Sequence, residues 1–164
     1  MSVNKIDKIV SKTGDTGTSK NFEGQVFSKS DLLFEVLGDM DELSSFLGLA
    51  YHYAQVEFIK EIQKDLQNIN SLVATNFDSD LYHILVQMNE SDVLKLETKI
   101  AEYLDSKPLE PRFYLPGSEK TKTGAYIDYA RALTRRVERK LTAFAEQRKR
   151  QDLDLAKKYL NRLS

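Results

Sequence analysis

From Leu43 onward the apolar residues of this chain recur every three or four positions, the period of one face of an α-helix. Leu43, Phe46, Leu47 and Ala50 stand at i, i+3, i+4 and i+7. The pattern predicts a first helix entered at Asp39, with Asp39 as N-cap and Glu42 at capping-box spacing. A second helix is expected over about 56–74, its stripe made by Ile59, Ile62, Leu66, Ile69 and Val73. Residues 76–79 break it, and His83 follows within the apolar stretch 81–86. Ser91 would cap a third helix, 91–104, carrying Val93, Leu94, Glu97 and Ile100. Pro108 and Pro111 end that region, and Phe113-Tyr-Leu-Pro-Gly117 is a short apolar segment closed by a Pro-Gly turn. A longer fourth helix, about 123–148, spaces Tyr126, Ala130, Leu133, Val137, Leu141 and Phe144 for burial. Asp152 would cap a last helix, 153–163. Four of the seven glycines, Gly14, Gly17, Gly24 and Gly38, precede all of this, so 1–38 is expected to be a loop-rich arm with at most short strands. The whole reads as an all-α, antiparallel helical bundle, 39–164, preceded by that arm.

Composition narrows the picture. A chain of 164 residues fits one domain with a real core. Its 24 Lys+Arg against 25 Asp+Glu give a net charge of −1, which argues against nucleic acid as a partner. The balance is not local, because from Arg131 to Arg150 there are eight Lys+Arg and two Glu. With no cysteine, disulfides, thiolate nucleophiles and Cys-based metal sites are excluded. Two histidines, His52 and His83, cannot build a multi-His metal site, and neither has a Glu three residues before it as a di-iron bundle would need. No apolar run approaches the roughly 20 residues of a membrane span, so a cytoplasmic protein is expected.

Three constellations could carry chemistry. Ser11-Lys-Thr-Gly-Asp-Thr-Gly-Thr-Ser19 packs glycines and hydroxyls around Lys12. Close glycines let backbone N–H groups turn toward one anion, although a flexible polar terminus has the same composition. It is not a Walker loop, since Ser19 stands where glycine is required. On the fourth helix, Arg131, Arg135 and Glu138 fall within roughly 60° of one another and Asp128 shares the side of Arg131. Such a face is either solvated or suited to bidentate phosphate and carboxylate contacts. At the first helix start, capping accounts for Asp39 and Glu42 but not for Asp41.

Taken in order, these pieces resemble the PduO-type ATP:cob(I)alamin adenosyltransferases, the corrinoid adenosyltransferase family. The resemblance rests on Lys12–Ser19, Gly38-Asp-Met-Asp-Glu-Leu-Ser-Ser-Phe-Leu-Gly48, Ile62-Gln-Lys-Asp-Leu66, Phe113–Gly117, Ala130-Arg-Ala-Leu-Thr-Arg-Arg-Val-Glu-Arg139 and Tyr159-Leu-Asn-Arg-Leu-Ser164. It implies a five-helix bundle in a ferritin-like arrangement, assembled as a homotrimer, with ATP and cobalamin bound between subunits. The implied reaction moves the 5′-deoxyadenosyl group of ATP to reduced cobalt and releases triphosphate, with Mg²⁺ on the phosphates and no metal ligand named in the chain. By the same resemblance Lys12, Thr13, Gly14, Asp15, Gly17, Thr18 and Ser19 would form the ATP loop, helped by Lys29. Arg135, Glu138 and Asn161 would belong to the nucleotide site, and Arg131 would pair with Asp41 of an adjacent subunit. Phe113 would press on the lower corrin face. Two positions depart from the family's usual pattern: Leu33 replaces an arginine, and Ile127-Asp128 replaces a Leu-His pair. A relative that binds nucleotide or corrinoid without turnover, and a structural helical protein with an acidic partner, are the other readings.

Overall fold

The computed structural model describes residue 12, residues 14–118 and residues 120–164. Strands β1 (Thr18–Lys20) and β2 (Val26–Ser28) form an antiparallel hairpin in the register Thr18↔Ser28, Ser19↔Phe27, Lys20↔Val26. Helices α1 (Leu32–Ala54), α2 (Glu57–Val73), the single turn α3 (Asp80–His83), α4 (Glu90–Ser106), α5 (Lys122–Arg148) and α6 (Asp154–Leu163) follow. A 3₁₀ turn, Gln151–Leu153, leads into α6. The all-α bundle holds, with five helices of ten residues or more beside the one-turn α3. No described helix is long and apolar enough to cross a membrane.

The first helix begins at Leu32, not at Asp39. Asp31 is its N-cap, accepting from the Leu33 N–H at 2.9 Å. Gly38 read as a break, but one glycine inside a helix costs only about 1 kcal/mol. Burial of Leu33, Val36 and Met40 around it gains more, at about 1.5–3 kcal/mol for each large side chain. Asp39 is therefore a helix-interior residue and its carboxylate faces α5. Two other caps move for a similar local reason. Asn89 rather than Ser91 caps α4, because its side chain and that of Asp92 make a reciprocal capping box. Asp152 does not cap α6; it is committed to a buried ion pair described below. On α4 only Val93 and Leu96 are buried, while Leu94 and Ile100 stay exposed.

The core is built on α1, α2 and α5. Buried Leu33, Val36, Met40, Leu43, Leu47 and Ala50 alternate three- and four-residue steps along α1. Ala130, Leu133, Val137, Leu141 and Phe144 do the same along α5. One edge of the α1–α5 seam carries a ladder of charges: Asp31 with Arg148 (2.8 Å), Glu35 and Asp39 with Lys140 (2.6 and 3.0 Å), and Asp39 and Glu42 with Arg136. Successive partners climb α1 as they descend α5, so the two helices run antiparallel. These pairs range from exposed to partly buried, so each adds modest energy, and together they favour one register.

At the far end of the bundle Arg150 ties three segments together. It donates to the carbonyls of Leu72 (2.9 Å) and Thr75 (3.0 Å), where the end of α2 leaves acceptors without helical partners. Its guanidinium also holds Asp152 at 2.8 Å, and the Tyr82 hydroxyl donates to the same carboxylate at 2.6 Å. Both charged side chains are buried, at 10% and 8% exposure. Burial alone would raise the Asp152 carboxyl, but the hydrogen bonds from Arg150 and Tyr82 outweigh it and hold it below the usual value of 3.8. Desolvation, followed by the bond to Asp152, pushes the Tyr82 hydroxyl well above its usual range. Arg150→Met should destabilise the fold by about 3 kcal/mol in urea unfolding, because it strands the buried carboxylate. A carboxyl lowered by folding stabilises above its unfolded value and loses that contribution as pH falls through the folded one. Asp152→Asn should therefore differ from wild type at pH 7 and converge with it well below pH 3.8.

Candidate functional site

The hairpin is fixed to the bundle by its own turn. Buried Asn21 accepts from the N–H groups of Glu23 (3.1 Å) and Gln25 (2.8 Å), and Gly24 supplies the left-handed residue (φ 82°). The Phe22 N–H reaches the Ala74 carbonyl at 3.2 Å, and Glu23 accepts from the Asn76 N–H at 2.7 Å. Before β1 the chain doubles back. The Asp15 N–H bonds the Lys12 carbonyl, the Gly17 N–H bonds that of Gly14, and the Lys29 N–H bonds the Gly17 carbonyl at 2.9 Å. Lys12 (φ 56°) and Gly17 (φ 80°) both sit in the left-handed region. The Lys29 ammonium lies across Gly14, 2.9 Å from the point a Cβ there would occupy, so only glycine lets it approach without displacement. Lys12, Gly14, Asp15, Gly17, Thr18, Ser19 and Lys29 thus gather in one turn, and Thr13 lies outside the described residues.

A second group lies on α5. The Arg131 guanidinium pairs with Asp128 one turn earlier at 2.9 Å, as their shared side implied. The seam consumes Arg136, Lys140 and Arg148, leaving Arg135 and Arg139 exposed and without an ion-pair partner among the described residues. Arg135, Glu138, Arg139 and Thr142 line a shallow groove of about 320 Å³. Glu138 is braced from α6, accepting from the Asn161 amide at 2.8 Å and from the Ser164 hydroxyl at 3.4 Å. Arg162 donates to the Asn161 oxygen at 2.7 Å and to Glu97 of α4 at 2.7 Å. The sequence places Glu97 on the third helix and Arg162 in the last matching stretch but does not reveal their pairing, since partners 65 positions apart leave no periodic trace. Beside this group a largely apolar cleft of about 510 Å³ opens between Leu47, Ile62, Ile127 and Leu163, edged by Arg131 and Asp128.

One chain does not join these parts. The hairpin meets the C-terminal end of α5, where Arg148 stands over the Phe27 ring at 5.9 Å. Arg135 lies 13 residues earlier, about 20 Å along the helix axis. Asp41 and Arg131 form no ion pair within the chain; Asp41 lies in an α1–α2 groove with Lys60, Lys64 and Asn70. Asp39 and Glu42, read as capping acids, are spent on α5, whereas Asp41 has no ion-pair partner among the described residues. Phe113, read in isolation as a core or turn aromatic, is fully exposed on the connection from α4 to α5. Leu33 is buried at the foot of the hairpin. Among the described residues no group of three His, Asp or Glu could hold a metal ion.

The fold is thus an α-helical bundle with a short hairpin arm, in which α5 carries an exposed arginine beside a glutamate braced from α6. The chain belongs to the cobalamin adenosyltransferase family, whose model matches residues 9–164. It is 37% identical to the corrinoid adenosyltransferase MMAB of Mus musculus, over 98% of this chain and 69% of that protein. It is 34% identical to the corrinoid adenosyltransferase of Citrobacter freundii, over 96% and 89%. A variant of the PduO-type ATP:corrinoid adenosyltransferase from Lactobacillus reuteri, solved with cobalamin and ATP, superposes with a TM-score of 0.83 at 27% identity. That match covers 94% of this chain and 86% of the other.

Because Arg135 makes no ion pair among the described residues and is exposed, Arg135→Ala should leave stability within about 0.5 kcal/mol of wild type in urea unfolding. A larger loss would show that Arg135 has a structural role.

Proposed function

We propose that this chain transfers the 5′-deoxyadenosyl group of ATP to the cobalt of cob(I)alamin, as a cytoplasmic homotrimer. The observation that carries this reading is Arg135, without an ion-pair partner among the described residues, beside the braced Glu138 in a member of this family. In the reaction the cobalt electron pair forms a bond to the 5′-carbon as the carbon–oxygen bond to triphosphate breaks. Triphosphate leaves with that bonding pair. Cobalt(I) is itself the nucleophile, so no Ser, Cys or His is required and the difficult chemistry belongs to the corrinoid. The protein's tasks are to hold the two substrates in line and to stabilise charge growing on the leaving group.

The residues divide along those tasks. The Lys12–Ser19 turn with Lys29 would hold the triphosphate, and Arg135 would meet the developing charge. The hairpin meets α5 at Arg148, about 20 Å along the axis from Arg135, and that separation supports a site completed by a second subunit. Asp41, without an ion-pair partner among the described residues, would then take Arg131 of a neighbour. Phe113, bare to solvent, would cover the lower corrin face and keep an axial ligand off cobalt. Mg²⁺ would arrive on the phosphates of ATP.

Purified protein given ATP, Mg²⁺ and chemically reduced cobalamin should develop the adenosylcobalamin spectrum. Binding of both substrates without product would leave a non-catalytic carrier instead. Arg135→Ala should lower kcat by about a hundredfold, the loss typical of one donor to a developing anion. Phe113→Ala should leave the calorimetric Kd for ATP unchanged while slowing adenosylation. Light scattering should return about three times the chain mass of 18.8 kDa.

A further inference from the structure

Asn161 sits between two groups of opposite hydrogen-bonding character. On one side is the Arg162 guanidinium, which can only donate; on the other is the Glu138 carboxylate, which can only accept. An amide presents oxygen on one edge and nitrogen on the other, and either orientation has nearly the same shape. Between a pure donor and a pure acceptor a single orientation makes both bonds, with Oδ1 toward Arg162 at 2.7 Å and Nδ2 toward Glu138 at 2.8 Å. Arg162 could still swing away, since its side chain is 37% exposed, but Glu97 of α4 accepts from its Nε at 2.7 Å. The chain of contacts runs Glu97–Arg162–Asn161–Glu138 through α4, α6 and α5. It commits Oε1 of Glu138 and leaves Oε2 with only the long 3.4 Å contact from the Ser164 hydroxyl.

We propose that Glu97 and Arg162 are positioning residues of the nucleotide site: they lock the Asn161 amide and so hold Glu138 in one rotamer beside Arg135. This rests on the proposed function together with the expectation, implied by the family resemblance, that Glu138 and Asn161 belong to the nucleotide site. Neither Glu97 nor Arg162 needs to touch ATP. Their effect is conformational, in that a locked carboxylate need not be ordered when ATP binds. A purely structural role for the same pair would be to fasten α4 to α6, and the two roles separate cleanly under charge reversal.

The test compares wild type, Glu97→Gln, Arg162→Met and the double reversal Glu97→Arg/Arg162→Glu. The reversal restores an ion pair between α4 and α6 but places a carboxylate on both sides of Asn161, so the amide can serve only one of them. Its Tm is expected to stay near that of wild type while the calorimetric Kd for ATP weakens about tenfold, the scale of one lost hydrogen bond to a charged group. KM for ATP should rise in step, with kcat at saturating ATP much less affected. Arg162→Met should weaken ATP binding similarly, and Glu97→Gln by a smaller factor. Recovery of both Tm and ATP affinity by the reversal would overturn the proposal in favour of simple fastening. If the reversal does not fold, the single variants decide: an ATP Kd within twofold of wild type in both overturns it. Failure of wild type itself to bind ATP would instead sink the underlying nucleotide reading, which is a different result.

Discussion

Burial of the α1 stripe from Val36 to Leu47 together with that of α5 from Ala130 to Leu141 sets the azimuth of both helices. Everything with chemical potential on α5 depends on that rotation. Once the apolar stripes meet, Arg136 and Lys140 must fall at the seam edge, within reach of Glu35, Asp39 and Glu42. Arg135, Glu138 and Arg139 then face the other way. A rotation of α5 by roughly 100°, one residue's step around the helix, would exchange the two sets. The hydrophobic contact, which is indifferent to function, thereby decides which arginines are neutralised and which remain available to an anion. The charge ladder along the seam adds modest free energy and penalises that exchange.

Much of this was legible in the chain. Periodicity placed α2 and α5 within a residue or two, because uninterrupted stripes such as Ile59-Ile62-Leu66-Ile69-Val73 leave few alternatives. The clustering of Arg131, Arg135 and Glu138, and the neighbourhood of Asp128 and Arg131, followed from helical geometry alone. What failed was the use of local signals where long-range contacts compete. Gly38 and the acids after it imitate a helix start, yet Asp39 and Glu42 answer to residues almost a hundred positions away. Asp152 imitates a cap, yet its partners are Arg150 and Tyr82. A short polar side chain followed by a helix has the same sequence signature in both cases, and tertiary burial chooses between them.

Two parts of the bundle are held in contrasting ways. Beyond the C-terminal end of α5, Arg150 and Asp152 are almost out of water, saturated with hydrogen bonds and fixed. Along the middle of α5, Glu138 joins Asn161 and Arg162 in an open relay whose members keep contact with solvent. Buried and complete networks rigidify, whereas a relay with an under-used oxygen retains something to offer. The two networks therefore differ in how fully their polar groups are satisfied.

Phe113 stands wholly in water, and with Leu109, Tyr114 and Leu115 around it the connection between α4 and α5 contributes almost nothing to the core. Most substitutions are lost because they unfold a marginally stable protein. Those in this connection escape that penalty. The stretch can therefore drift among shapes and side chains at little risk to the bundle, giving descendants of this chain a region in which to adapt to new ligands.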